Sequence, residues 1–226
     1  MRHPAPLLLA ALLVLPACAT AERAADDALD GLGDVGAAVA DAATRAYEAA
    51  QGTLGADRVS PDARIAVARV VGPEGSSSLA TGTVTFVELA DGGVYVDYDV
   101  RGLDPGAHGL HVHENGSCDP ADTDGDGTPE PAGAAGGHFN PTDAPHGAPS
   151  DSPRERHAGD LGNITVGDDQ SARGTVEDDV LSFDGETSPV GRAMMVHSGR
   201  DDLTSQPSGD AGGRVACGVV RLVRGS

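Results

Sequence analysis

Between residues 94 and 100, Val94, Val96, Tyr98 and Val100 alternate with Tyr95, Asp97 and Asp99. A period of two sends successive side chains to opposite faces, so this stretch predicts a half-buried β-strand. Residues 63–71 alternate around Ile65, Val67 and Val70, and residues 79–89 are rich in β-branched and aromatic side chains. Asp91-Gly92-Gly93 reads as a hairpin turn and Asp104-Pro105-Gly106 as another. A strand through 108–113 follows, then short apolar runs at 161–167, 172–178, 192–197 and 214–223. Eight short strands result, with one polar loop between the fourth and fifth and another between the seventh and eighth. That pattern predicts an all-β sandwich or barrel. Upstream, Leu29, Leu32, Val35, Val39, Ala43 and Ala46 recur in steps of three and four, a weak amphipathic helix best formed over 34–50. Gly31, Gly33 and Gly36 weaken its first turns. Residues 18–60 are therefore expected to be a partly helical tether, a spacer or a partner helix, with the folded domain at 61–226.

The first residues have a different character. Arg2 and His3 precede an apolar run over 7–15 that is too short to cross a bilayer. Leu15-Pro16-Ala17-Cys18 then resembles a bacterial lipoprotein signal, in which cleavage leaves the cysteine as the lipid-bearing first residue. The expectation is removal of 1–17 as a signal peptide, lipid on Cys18, and an exported protein in the periplasm or cell envelope anchored to the membrane by that lipid. An ordinary secretory signal with an incidental cysteine is the alternative. The formal net charge of -20 argues against nucleic acid as a partner. All 15 basic residues are arginine, which fits a GC-rich genome or a salt-adapted host alike. Gly 32, Pro 15 and 3% aromatic residues favour a turn-rich β protein over a helical bundle.

Chemistry concentrates in the fourth strand, H-G-L-H-V-H-E-N-G-S-C over 108–118. Alternation puts His111 and His113 on one face, half of a copper or zinc site on a rigid strand. Such a pair alone is as readily one buried and one solvated histidine. Here His138 follows in G-G-H-F-N-P, His146 in P-H-G, His157 in R-H-A-G-D-L-G-N with Asp160, and His197 in M-V-H. Over residues 64–223 these motifs, together with G-G-R-V-A-C-G-V, resemble the copper/zinc superoxide dismutases.

The resemblance implies an eight-stranded Greek-key β-barrel with long metal-binding and electrostatic loops. It implies one copper held by His111, His113, His138 and His197, and one zinc held by His138, His146, His157 and Asp160, with the His138 imidazolate bridging both. The chemistry agrees: four imidazoles suit tetragonal Cu(II) with an axial position open, and three imidazoles with a carboxylate suit a closed zinc site. Asp201, with Asp202 beside it as the other candidate, would join a copper-side histidine to a zinc-side one. His108 would be a hydrogen-bonding histidine, not a ligand. Three cysteines in an exported protein leave one over; if Cys18 carries lipid, Cys118 and Cys217 remain as an even pair in an oxidising compartment, free to bridge. A disulfide closing so long a loop would contribute about 4–5 kcal/mol in the chain-entropy model. His146 and His157 stand eleven residues apart, wider than the family leads one to expect, and the polar stretch 150–156 would absorb the excess.

The implied activity is dismutation of superoxide to dioxygen and hydrogen peroxide. His138 would carry a proton to the product, and Arg214, three residues before Cys217, would hold the anion. Loss of 1–17 would make the chain one unit more negative, so local positive potential at the copper must outweigh a repulsion screened beyond about 8 Å. Arg200 is expected to add to that steering. A barrel that binds copper and zinc without turning over superoxide is the alternative. Homodimers are common in the family, on surfaces that differ between branches. Asp122-Thr123-Asp124-Gly125-Asp126-Gly127 imitates the opening of a calcium loop, but its twelfth position is Gly133 where a bidentate glutamate is needed; it reads as a solvated loop, with a weak calcium site as the alternative. Asn163-Ile164-Thr165 fits a glycosylation sequon but lies in an expected strand of a bacterial-type protein, and it is discounted.

Overall fold

A computed structural model describes residues 18–225. The signal peptide expected over 1–17 lies outside them. The elements are α1 (Cys18–Leu54), β1 (Ile65–Val71), β2 (Thr81–Glu88), β3 (Val94–Arg101), β4 (Gly106–His113), β5 (Asp160–Val166), β6 (Ser171–Asp178), β7 (Ala193–His197), β8 (Arg214–Val219) and β9 (Arg221–Arg224). The strands form one antiparallel sheet in the order β5-β4-β7-β8-β1-β2-β3-β6, with β9 paired to β1. The end strands β5 and β6 touch, so the sheet is a nearly closed barrel. The expected eighth strand breaks at Val220, giving β8 and β9 from one apolar run.

Alternation along each strand fills the barrel. Ala66, Ala68 and Val70 of β1 meet Val84 and Phe86 of β2, Val94, Val96 and Val100 of β3, and Leu110 and Val112 of β4. Branched and aromatic side chains are well suited to such a surface. The residues between them point outward, and two outward faces are nevertheless buried.

The first outward face lies on β1–β3. Ile65, Val67, Val87, Leu89 and Tyr95 form a second core with Val59, Ala63 and Ala42, Ala43, Ala46 and Ala50 of α1. This corrects the expectation that residues 18–60 are all tether. The chain divides between Ala38 and Val39, and residues from Val39 onward belong with the barrel. Small side chains at three- and four-residue steps let the half-helix 39–54 lie close on the sheet. Arg224 stacks over Tyr47 at 4.7 Å and donates to the carbonyl of Pro61, so the last strand holds the segment that follows the helix. Residues 18–38 are helical.

The second buried outward face is that of β4. It carries His111 and His113.

Candidate metal centre

Because Leu110 and Val112 point into the barrel, His111 and His113 point out of it. They are 0% and 1% exposed, because the β4–β5 and β7–β8 loops close over them. The β4–β5 loop is pinned to the strand itself. The Phe139 N–H donates to the carbonyl of Val112 (2.8 Å), the Gly159 N–H to that of Phe139 (2.9 Å), and the Val112 N–H to that of Gly159 (2.9 Å). His138 faces His113 across this bridge. His197 ends β7, and Arg214 pairs with it from β8.

The result is two overlapping sets of buried donors. His111, His113, His138 and His197 place one ring nitrogen each within 4.8 Å of one another; so do donor atoms of His138, His146, His157 and Asp160. His138 belongs to both. Its ring lies 3.9 Å, centre to centre, from that of His111, and its Nδ1–H donates to Asp160 Oδ1 at 2.8 Å. Asp201 joins the sets from outside: His111 Nε2–H donates to Oδ2 (2.8 Å) and His146 Nε2–H to Oδ1 (2.9 Å). Asp202, the other candidate, is exposed and accepts bonds from Thr204 and Ser205 of its own loop.

Hydrogen bonding tests whether these donors fit metal ions. A neutral imidazole has one N–H and one lone pair. His113 gives its Nδ1–H to Gly136 O (2.9 Å) and His197 gives its own to Gly212 O (3.1 Å). Their Nε2 lone pairs then face each other at 3.2 Å. His111 Nδ1 and His138 Nε2 are buried with no hydrogen-bond partner. Unsatisfied buried acceptors are costly. A cation is the group they fit, and the all-imidazole and imidazole–carboxylate sets suit copper and zinc respectively.

Burial prepares the rings of the all-imidazole set for ligation. It pushes His138 down to about 4 and His197 down to about 3, and it holds His113 well below 6.5, each helped by neighbouring histidines. Ligation by a neutral ring displaces no proton. In the imidazole–carboxylate set burial acts the same way, but the Asp160 and Asp201 carboxylates outweigh it and raise His146 to about 9. Burial alone would raise Asp160 and Asp201; bonds from His138, His146 and His157 to the first, and from His111 and His146 to the second, hold both well below the carboxylate range.

Arg214 is half-buried beside this centre. Its guanidinium donates to the carbonyls of Ala132 and, at 2.6 Å, Gly136. Cys118 and Cys217 are joined in a disulfide that ties the start of the β4–β5 loop to β8, with Cα atoms 5.8 Å apart.

A family model described as copper/zinc superoxide dismutase (SODC) matches residues 80–220. The chain belongs to that family. Among solved structures, this superoxide dismutase-family chain is similar to the "clock protein EA4", at 35% identity over 73% of this chain and 98% of that one, with a TM-score of 0.59.

Other predicted residues are placed as follows. His108 lies behind the centre, with Nδ1 2.8 Å from the carbonyl of His197 and Nε2 2.8 Å from that of Asp104. Arg200 is exposed. The wide His146–His157 spacing is taken up in two tight turns, Ala148 to Asp151 and Ser152 to Glu155. Glu130, not Gly133, completes the exposed acidic group of Asp122, Asp124 and Asp126, whose carboxylates largely accept amides of their own loop. Sequence reasoning missed four residues. Arg156 lies in the stretch read as polar loop, yet it is fully buried and bonds Asp178 (2.6 Å) and the carbonyls of His157 and Asp160. Arg192 stacks on Phe139 at 3.5 Å. Asn163 and Gln206 bond the backbones of Asp201 and His146. An arginine adjoining a ligand was the one local signal available, at Arg156.

Proposed function

We propose that the protein dismutates superoxide to dioxygen and hydrogen peroxide outside the cytoplasm. Copper would be held by His111, His113, His138 and His197, and zinc by His138, His146, His157 and Asp160. The observation that carries the reading is His138: one ring shared by both donor sets, with Nε2 unpartnered on one side and Nδ1 against Asp160 on the other. Copper, when bound, supplies reversible one-electron chemistry, while zinc has no redox change.

The protein's residues do the rest. Arg214 holds superoxide by charge and hydrogen bonds, and its fixed carbonyl partners orient the guanidinium beforehand. His138 Nε2, buried and unpartnered, would hold a proton for the product. Asp160 and Asp201 keep the rings from turning. Export and the lipid anchor rest on the sequence around Cys18; mass spectrometry of the mature N-terminus tests them.

The activity is tested by pulse radiolysis of the purified mature chain, loaded with zinc alone and then with zinc plus copper. Fast decay of superoxide that needs copper is the expected result. Two bound metals without faster decay would leave a metal-binding protein of the same fold.

A further inference from the structure

We propose that Gln206 is a positioning residue for the zinc half of the centre, its carboxamide latching the β7–β8 loop onto the backbone of His146. The His146 N–H donates to Gln206 Oε1 at 2.8 Å, and Gln206 Nε2 donates back to the His146 carbonyl at 2.9 Å. One side-chain amide thus satisfies both backbone groups of a single residue, as a neighbouring strand would. The remaining Nε2 proton goes to the Thr204 carbonyl at 3.2 Å, which fixes the amide within its own loop.

The placement gives the latch its consequence. His146 sits in the β4–β5 loop, where no ladder holds its backbone. Asp201, five residues before Gln206, already grips the His146 ring. Ring and backbone of the same histidine are therefore held by two points of one loop. That loop is fixed in turn by Asn163 of β5, whose side-chain amide receives the Asp201 N–H (2.8 Å) and donates to the Asp201 carbonyl (2.9 Å). Beyond Gln206 the chain returns past Asp201 through Gly209 at φ 68°, where a Cβ would meet the Asp201 carboxylate. The latch sets where His146 Nδ1 points, 3.1 Å from Asp160 Oδ2. It rests on the zinc assignment proposed above.

The test uses the full mature chain, with Gln206→Ala and the isosteric Gln206→Glu. Glutamate keeps the acceptor for the His146 N–H but loses both donors. Outer partners of metal ligands typically change affinity 10- to 100-fold, so zinc release to a chromogenic chelator should be about 10-fold faster or more in Gln206→Ala. Gln206→Glu should fall between that variant and the parent. The visible bands of Co²⁺ loaded in place of zinc should shift, while the melting temperature of the metal-free protein stays put, because the barrel core is untouched. Release within twofold of the parent and unchanged cobalt bands in both variants would overturn the latch alone. A parent chain that takes up no tetrahedral cobalt would overturn the zinc assignment and the latch with it.

Discussion

The Nε2 atoms of His113 and His197 face each other at 3.2 Å, each ring having given its only N–H to a backbone carbonyl. Two lone pairs at that distance repel unless a cation lies between them, so the barrel holds two strands in an arrangement that bound copper would relieve. Copper loading of the zinc-bound protein should raise its melting temperature in calorimetry. His113→Ala should lose most of that gain, and its superoxide decay should fall to the level of the zinc-only protein. Equal melting temperatures with and without copper would remove the argument.

Metal-free protein should be most stable near pH 6.5. Below that pH, unfolded histidines take up protons that folded His138 refuses until about 4 and His197 until about 3, so stability falls as pH falls. Asp160 and Asp201, depressed in the fold, add to the loss below about pH 4. Above 6.5 the sign reverses: His146, raised to about 9, contributes stability that disappears as pH climbs to that value. Melting temperature against pH in the presence of chelator measures both limbs. Zinc should flatten the alkaline one, because ligation removes the His146 proton.

The strands and the donor set were legible because their signals are local: period-two alternation at 94–100, and two histidines two apart on one strand. Asp201 was legible only through resemblance. Arg156, Asn163 and Gln206 were not, since each acts on a backbone 1 to 60 residues distant and nothing in composition marks a polar loop residue as buried or paired. The docked half of α1 was hidden for another reason. Its contact stripe is alanine, which contrasts weakly with its surroundings and looks like spacer until an apolar sheet face is seen opposite it.

Arg214→Ala removes a charge-assisted hydrogen bond to the substrate anion, worth about 1.5–3 kcal/mol, so kcat/KM should fall about 10- to 150-fold. Arg214→Lys should recover part of this, since lysine keeps the charge but not the forked contacts to Ala132 and Gly136. Arg200, being exposed, should act through steering only: Arg200→Ser should lower the rate modestly at low salt and not at high salt. Stopped-flow or radiolytic rates across ionic strength separate the two roles.

Arg156 and Asp178 form an ion pair with both side chains fully buried. Removing one partner of such a pair leaves an uncompensated charge, so Arg156→Met should cost about 3–5 kcal/mol in denaturant unfolding. The same change frees the carbonyls of His157 and Asp160, and zinc affinity should weaken with it. The double variant Arg156→Met, Asp178→Asn should recover much of the stability, because no buried charge is left unpaired and asparagine keeps an acceptor for the Val180 and Leu181 amides. It should not recover zinc affinity, because no donor returns to the two carbonyls. Recovery of both together would mean that Arg156 acts only through stability.

Ala46 is 0% exposed where α1 meets the sheet. If residues from Val39 onward are part of the folded unit, a larger side chain there must push the helix off Ile65, Val67 and Tyr95. Ala46→Leu should then cost about 1–3 kcal/mol, as overpacking does, and lower the melting temperature. Glu48, exposed on the same helix, is the control: Glu48→Gln should change neither. The metal centre lies on other strands, so copper and zinc stoichiometry should be unaffected in folded Ala46→Leu. An Ala46→Leu protein as stable as its parent would return 39–54 to the role of a loose tether, because only a docked helix is sensitive to volume at its contact stripe.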